Sequence, residues 1–134
     1  MKLDGFGVFV KDMGAMIRFY RDALGFEIRE GEDADNVFLV KDGTLFLLYG
    51  RRDFEKMTGQ KFGYGPGING HFEIALNGGS VAGVDAAFDR ALSLGGTGVL
   101  APSMQPWGQY TSYVADPEGN LVEIGCFPEG GEEA

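Results

Sequence analysis

The stretch Asp116-Pro117-Glu118-Gly119-Asn120-Leu121-Val122-Glu123-Ile124 decides the fold. Asp, Pro and Gly in its first four residues have strong turn chemistry. From Asn120 to Cys126 the chain then reads as a strand. Val122 and Ile124 share one face, and Leu121, Glu123 and Gly125 the other. Tyr110 to Ala115 is a second strand, so the turn joins a hairpin.

Working back from that hairpin, Thr97 to Leu100 reads as a short strand. Before it, Ser80 is a plausible N-cap for a helix reaching about Leu94, with Val84, Phe88, Ala91 and Leu92 as its apolar stripe. Gly95-Gly96 ends the helix. Gly70 to Leu76 is a strand ahead of it. The second half is therefore strand, helix and three strands.

The first half has the same order. Gly5 to Val10 is a strand, with Phe6, Val8 and Val10 on one face and Gly5, Gly7 and Phe9 on the other. Asp12 caps a helix whose stripe is Met13, Met16, Ile17, Tyr20 and Leu24, and Gly25 stops it. Phe26 to Arg29 starts a strand. Val37 to Val40 and Thr44 to Tyr49 are two more, joined by the turn residues Lys41-Asp42-Gly43. The expected class is α+β. Two tandem βαβββ modules, 1–50 and 69–127, form a concave mixed sheet with helices on the outer face. Residues 51–68 are a connector with a short helical turn around Phe54 to Thr58, and 128–134 are a polar tail. The chain as a whole is one domain.

Composition narrows the function. The 134 residues include 23 glycines, one histidine (His71) and one cysteine (Cys126). One Cys allows no intrachain disulfide and no Cys-rich zinc site. One His allows no two-His iron site within a single chain. With 11 basic and 20 acidic residues the formal net charge is −9. Such a surface repels nucleic acid and anionic lipid. No run approaches the roughly 18 apolar residues of a membrane span. The N-terminus opens without a long apolar segment, so a cytoplasmic location is expected.

Strand parity then picks out candidate site residues. Phe72, Ile74 and Leu76 make the apolar, helix-facing side of their strand, which leaves His71, Glu73 and Ala75 on the opposite side. Glu123 points the same way from the last strand. Leu45, Leu47 and Tyr49 are expected to face the helix, so Thr44, Phe46 and Leu48 face away from it. If that second face is enclosed, His71, Glu73 and Glu123 have perturbed pKa values and form a site. If it is open to water, they are solvated polar positions. Cys126 shares the helix-facing side with Val122 and Ile124 and reads as a small buried apolar residue.

These elements resemble the glyoxalase/bleomycin-resistance/extradiol-dioxygenase superfamily, the vicinal oxygen chelate proteins. Val10-Lys11-Asp12-Met13, Phe19-Tyr20-Arg21-Asp22 and Leu24-Gly25-Phe26 resemble its first strand–helix unit. Gly70-His71-Phe72-Glu73-Ile74 resembles the start of its second half. Trp107-Gly108 and the Asp116–Ile124 stretch resemble its C-terminal hairpin. The resemblance implies a paired-sheet cleft, commonly a homodimer, and in enzymes a divalent metal held by side chains from four strands. Carried over by position, two ligand places fall on His71 and Glu123. The other two fall on Gly5 and on Phe46 or its neighbour Leu47, none of which ligates through a side chain. The expected metal set is therefore none, with weak binding at His71 and Glu123 left open.

Two functions follow from the resemblance. One is a lyase or isomerase acting on a small carbonyl or thiol-adduct substrate, with His71 and Glu123 as its catalytic pair. The other is non-catalytic sequestration of a hydrophobic or cationic small molecule. In either case Glu73, Phe46, Trp107 and Tyr110 are the expected ligand-binding residues. Trp107, between Pro106 and Gly108, is either a lid residue or an aromatic tucked onto the edge of the core.

Overall fold

The computed structural model describes residues 1–129. The chain divides into two compact units, 1–65 and 66 onward. Residues 130–134, most of the expected polar tail, lie outside the described part.

The first unit runs β1 (Gly5–Val10), α1 (Met13–Arg18), a π-helical turn (Phe19–Ala23), β2 (Asn36–Lys41), β3 (Thr44–Gly50) and α2 (Arg51–Thr58). The Asp12 carboxylate accepts from the Ala15 N–H at 3.1 Å and so caps α1 as its sequence predicts. Phe19, Tyr20 and Ala23 of the π turn are all buried, continuing the buried face of Met16 and Ile17. Gly25, at φ +75°, takes the left-handed conformation that ends the helix.

The strand expected at 26–29 does not form. The Phe26 N–H donates back to the Tyr20 carbonyl at 2.9 Å, and that of Ile28 to the Phe26 carbonyl at 3.0 Å. Backbone bonded so locally is not open to a neighbouring strand. The sheet has three strands, β1-β3-β2, with β1 parallel and β2 antiparallel to β3. The β2–β3 turn has Asp42 and Gly43 both at positive φ, as a tight two-residue hairpin requires. The connector is more helical than expected, since α2 begins at Arg51.

Phe46 corrects the expected parity of β3. Phe46 and Leu48 are buried, together with Val8 and Val10. Phe46 stacks edge-on against Phe26, ring centres 5.0 Å apart, and lies 5.5 Å from Tyr20. It is therefore a core residue on the helix side and not part of the open face. Leu45, Leu47 and Tyr49 occupy the other side. Every residue from Leu45 to Tyr49 is apolar or aromatic, so alternation alone does not distinguish the faces. The three-ring cluster does.

The second unit runs β4 (Asn69–Asn77), α3 (Val81–Ser93), β5 (Thr97–Met104), β6 (Tyr110–Ala115) and β7 (Asn120–Cys126). Its sheet order is β4-β7-β6-β5, with β4 parallel to β7 and the other pairs antiparallel. Ser80 caps α3 by accepting from the Gly83 N–H at 3.0 Å. Val84, Phe88 and Ala91 of α3 are buried, as are Ser112, Val114, Val122, Ile124 and Cys126 on the helix side of the sheet. The succession of strand, helix and three strands, and the helix cap, agree with the expectation, although β5 runs on to Met104 beyond the expected Leu100, and both units are α+β.

Candidate functional site

The hairpin turn sets the position of β4. Asp116 is buried, and its Oδ1 accepts from the backbone N–H groups of Glu118 (2.9 Å) and Asn120 (3.0 Å). Gly119 sits at φ +90°, and its carbonyl accepts from the Asn69 N–H at 2.6 Å. A Cβ on Gly119 would lie 2.0 Å from the Gly67 carbonyl oxygen. Glycine is thus needed twice over, for the left-handed turn and for the passage of residues 67–69. The tether starts β4 alongside β7. After an irregular step between Asn69 and Glu73, the strands pair Glu73 with Leu121 and Ala75 with Glu123.

That register gathers polar side chains on the face away from α3. Glu73 and Glu123 are two steps apart on neighbouring strands. Tyr113, opposite Glu123 on β6, donates its hydroxyl proton to Glu73 Oε1 at 3.0 Å. Glu123 Oε2 accepts from Thr111 Oγ1 at 2.9 Å and from Gln109 Nε2 at 3.3 Å. The amide oxygen of Gln109 accepts from the Trp107 indole Nε1–H at 2.9 Å. Gly125 makes room for this set, since a Cβ there would come within 2.5 Å of Thr111 Oγ1 and 3.0 Å of Gln109 Nε2. A cavity of about 210 Å³ adjoins it, lined by Glu123, Gln109, Gly125 and Phe127 among others.

The electrostatics follow from the packing. Partial burial of the carboxyl pushes the Glu73 pKa above the ordinary glutamate value, the Tyr113 hydrogen bond opposes the shift, and the nearby Glu123 carboxyl adds to it. Glu73 therefore holds a proton more readily than a free glutamate. The Tyr113 hydroxyl is pushed well above its usual value, first by burial and then by its bond to Glu73.

The expected site residues are not all together. Glu73 and Glu123 meet. His71 is exposed in the irregular part of β4, and its backbone N–H is held by Asn69 Oδ1 at 2.9 Å. The carboxyl that meets Glu123 is that of Glu73. Trp107 joins the network through Gln109. Tyr110 lies on the helix side, where its hydroxyl donates to Asp85 Oδ1 at 2.6 Å, and Phe46 is in the first unit's core. Gln109, Thr111, Tyr113 and Gly125 are absent from the sequence-derived set. The same parity that exposes Glu123 would have found Thr111 and Tyr113, because Ser112 and Val114 alternate with them.

The profile of the Glyoxalase/Bleomycin resistance protein/Dioxygenase superfamily matches residues 2–124. The chain belongs to this superfamily. Solved structures agree. A glyoxalase-related enzyme from Fulvimarina pelagi superposes with a TM-score of 0.82 at 21% identity, covering 94% of this chain and 88% of that one. A glyoxalase/bleomycin resistance protein/dioxygenase family enzyme from Burkholderia phytofirmans PsJN gives 0.80 at 23% identity, covering 95% and 99%. A lactoylglutathione lyase from Agrobacterium tumefaciens gives 0.70 at 24% identity, covering 98% of each. At these identities the likeness is one of fold. No curated protein matches the sequence significantly.

The donor set does not fit the divalent metal that the superfamily resemblance implies. The first-unit positions hold Gly5 and, with the parity of β3 corrected, Leu47, which have no ligating side chain. A Cβ at Gly5 would lie 2.4 Å from the Leu45 Cβ, so close strand pairing requires glycine there. Among the described residues no three His, Cys, Asp or Glu side chains group to hold a metal ion. The chemistry of this face is that of its carboxyls, hydroxyls and amide.

Proposed function

We propose that the protein moves protons on a small carbonyl compound or its thiol adduct, using Glu73 and Glu123 as an acid–base pair. The observation that carries this reading is the meeting of two carboxyls, one of them with a raised pKa, beside a small cavity. The Glu123 carboxylate removes the proton from the hydroxyl-bearing carbon next to the carbonyl. The C–H electron pair becomes a carbon–carbon double bond, and the carbonyl oxygen takes the proton held by Glu73. The resulting enediol collapses in reverse sense. Glu73 recovers a proton from the other oxygen, and Glu123 returns its own to the former carbonyl carbon. The product is an isomer of the substrate, and both carboxyls regain their starting states.

The test is deuterium incorporation. Hydroxyacetone, and an α-oxoaldehyde mixed with a small thiol, are incubated with the protein in D2O and followed by proton NMR. Wild type is expected to label the carbon next to the carbonyl, and Glu123→Gln to lower the rate by about 100-fold or more. Absence of labelling with every probe, or an undiminished Glu123→Gln rate, would sink the reading.

A second reading is sequestration without turnover, and the exposure of Trp107 favours it. The indole is 65% exposed yet tethered to Gln109 beside the carboxyls. An aromatic face near negative charge suits a cationic or hydrophobic guest. Quenching of Trp107 fluorescence by a cationic aromatic dye, lost in the Glu73→Gln, Glu123→Gln double variant, would support it. Equal quenching in both proteins would oppose it.

A homodimer in the cytoplasm completes the proposal. Phe38 and Val40 of β2 are 63% and 68% exposed, which is apolar surface suited to burial against a second copy. Among the described residues no helix is long and apolar enough to cross a membrane. Sedimentation velocity that gives a monomer at micromolar concentration would remove the dimer.

A further inference from the structure

We propose that Gln109 is a positioning residue for Glu123 and that the Trp107 indole sets which way its amide faces. The inference rests on the proton-transfer reading above and adds two residues to it. A glutamine amide has a donor end and an acceptor end of nearly equal shape, so its partners decide its orientation. The indole Nε1–H only donates. With that group 2.9 Å from the Gln109 oxygen, the NH2 end is the one turned toward Glu123, at 3.3 Å from Oε2. A flipped amide would put two acceptors against each other at Glu123 and two donors against each other at Trp107. Thr111 donates to the same Oε2 at 2.9 Å. The two donors engage the same oxygen of the carboxylate and so fix its orientation on this face.

The loop is built to hold this arrangement. The Gln105 N–H donates to the Gln109 carbonyl at 2.8 Å, and the Gly108 N–H to the Gln105 carbonyl at 3.0 Å. Gly108 sits at φ +90° with open space around it. That backbone folds the chain tightly enough for side chains two residues apart, Trp107 and Gln109, to bond to each other. The exposed Trp107 thereby acts on Glu123 through Gln109 and not by contact.

The test uses Gln109→Leu, which removes both bonds, and Trp107→Phe, which keeps the ring and removes only the N–H. The deuterium-incorporation assay with the α-oxoaldehyde and thiol probe is expected to show kcat about tenfold lower in each, a hydrogen bond to a charged group being at stake. KM should stay within about twofold, because uniform binding is untouched. The double variant should be no slower than Gln109→Leu alone, since the residues act in series. Trp107 is the single tryptophan, so its indole N–H gives one NMR signal. That signal should move in Gln109→Leu and in Glu123→Ala. The NMR arm needs no turnover. If the signal moves while no probe is labelled by wild type, the relay stands and the assigned reaction fails. An indole signal unchanged in Gln109→Leu, or rate losses that multiply in the double variant, would overturn the proposal.

Discussion

The Tyr113 hydroxyl donates a 3.0 Å hydrogen bond to the carboxyl of Glu73, forty residues away in the chain. The bond spans β7. Tyr113 is paired with Glu123 in the sheet and reaches past it to the edge strand. It holds two carboxyls together on one face, where simple repulsion would part them.

That pairing makes stability depend on pH. Glu73 has a raised pKa in the fold, so over the interval from the ordinary glutamate value up to the raised one the folded state binds more protons than the unfolded. Stability from this group is fully present below that interval and is lost as pH rises through it. Glu73→Gln should flatten the slope. Urea midpoints measured between about pH 4 and 8 check this, within the range where glutamate titrates. Parallel curves for wild type and variant would refute the assignment.

Gly125 is the vacancy that Thr111 and Gln109 fill. Gly125→Ala would force its Cβ to within 2.5 Å of Thr111 Oγ1. The expected cost is about 1–3 kcal/mol in denaturant unfolding, typical of overpacking. Gly63→Ala, where a Cβ meets nothing within 4 Å, is the control and should stay within about 0.5 kcal/mol. Similar losses in the two variants would contradict this packing.

The parity of β3 can be read from two phenylalanines. Phe46→Ala should cost about 3–5 kcal/mol, because it empties a site walled by Tyr20 and Phe26. Phe38→Ala, on a residue of β2 that is exposed in the single chain, should cost about 0.5 kcal/mol or less when unfolding is measured on the dissociated monomer. Thermal or denaturant unfolding decides, and a reversed order would restore the face assignment expected from alternation.

Gly119 and Gly43 separate conformational strain from close approach. Both have positive φ, and alanine at either pays about 1–2 kcal/mol for that conformation. Only at Gly119 would the Cβ also strike backbone, at 2.0 Å from the Gly67 oxygen. Gly119→Ala should therefore destabilise well beyond Gly43→Ala and speed amide exchange at Asn69, whose bond to the Gly119 carbonyl would break. Equal effects would show that strain alone accounts for both.

The sequence was most legible where one local interaction dominates. Asp12, Ser80 and Gly25 define helix ends by bonds or backbone angles within a few residues, and the sequence places them correctly. The β6–β7 hairpin is read to the residue, because its turn chemistry and its alternation agree. Phe26 to Arg29 misleads because its composition suits a strand. The winning bonds, back to Tyr20 and within the segment, come from the way the π turn ends. Phe46 misleads because both faces of its strand are apolar.

The sequence by itself determined the α+β class, the superfamily, the glycine at position 5 where a ligand would stand, and the outward side of Glu73 and Glu123. Periodicity, turn residues and motif order are local properties, and they survive without knowledge of neighbours. Only the tertiary structure decided that Glu73 and not His71 meets Glu123. It alone moved Tyr110 to the helix side and brought in Gln109, Thr111 and Tyr113. Those outcomes depend on strand register, which the Gly119–Asn69 tether sets. A shift of one residue would turn every side chain of the strand to its other face.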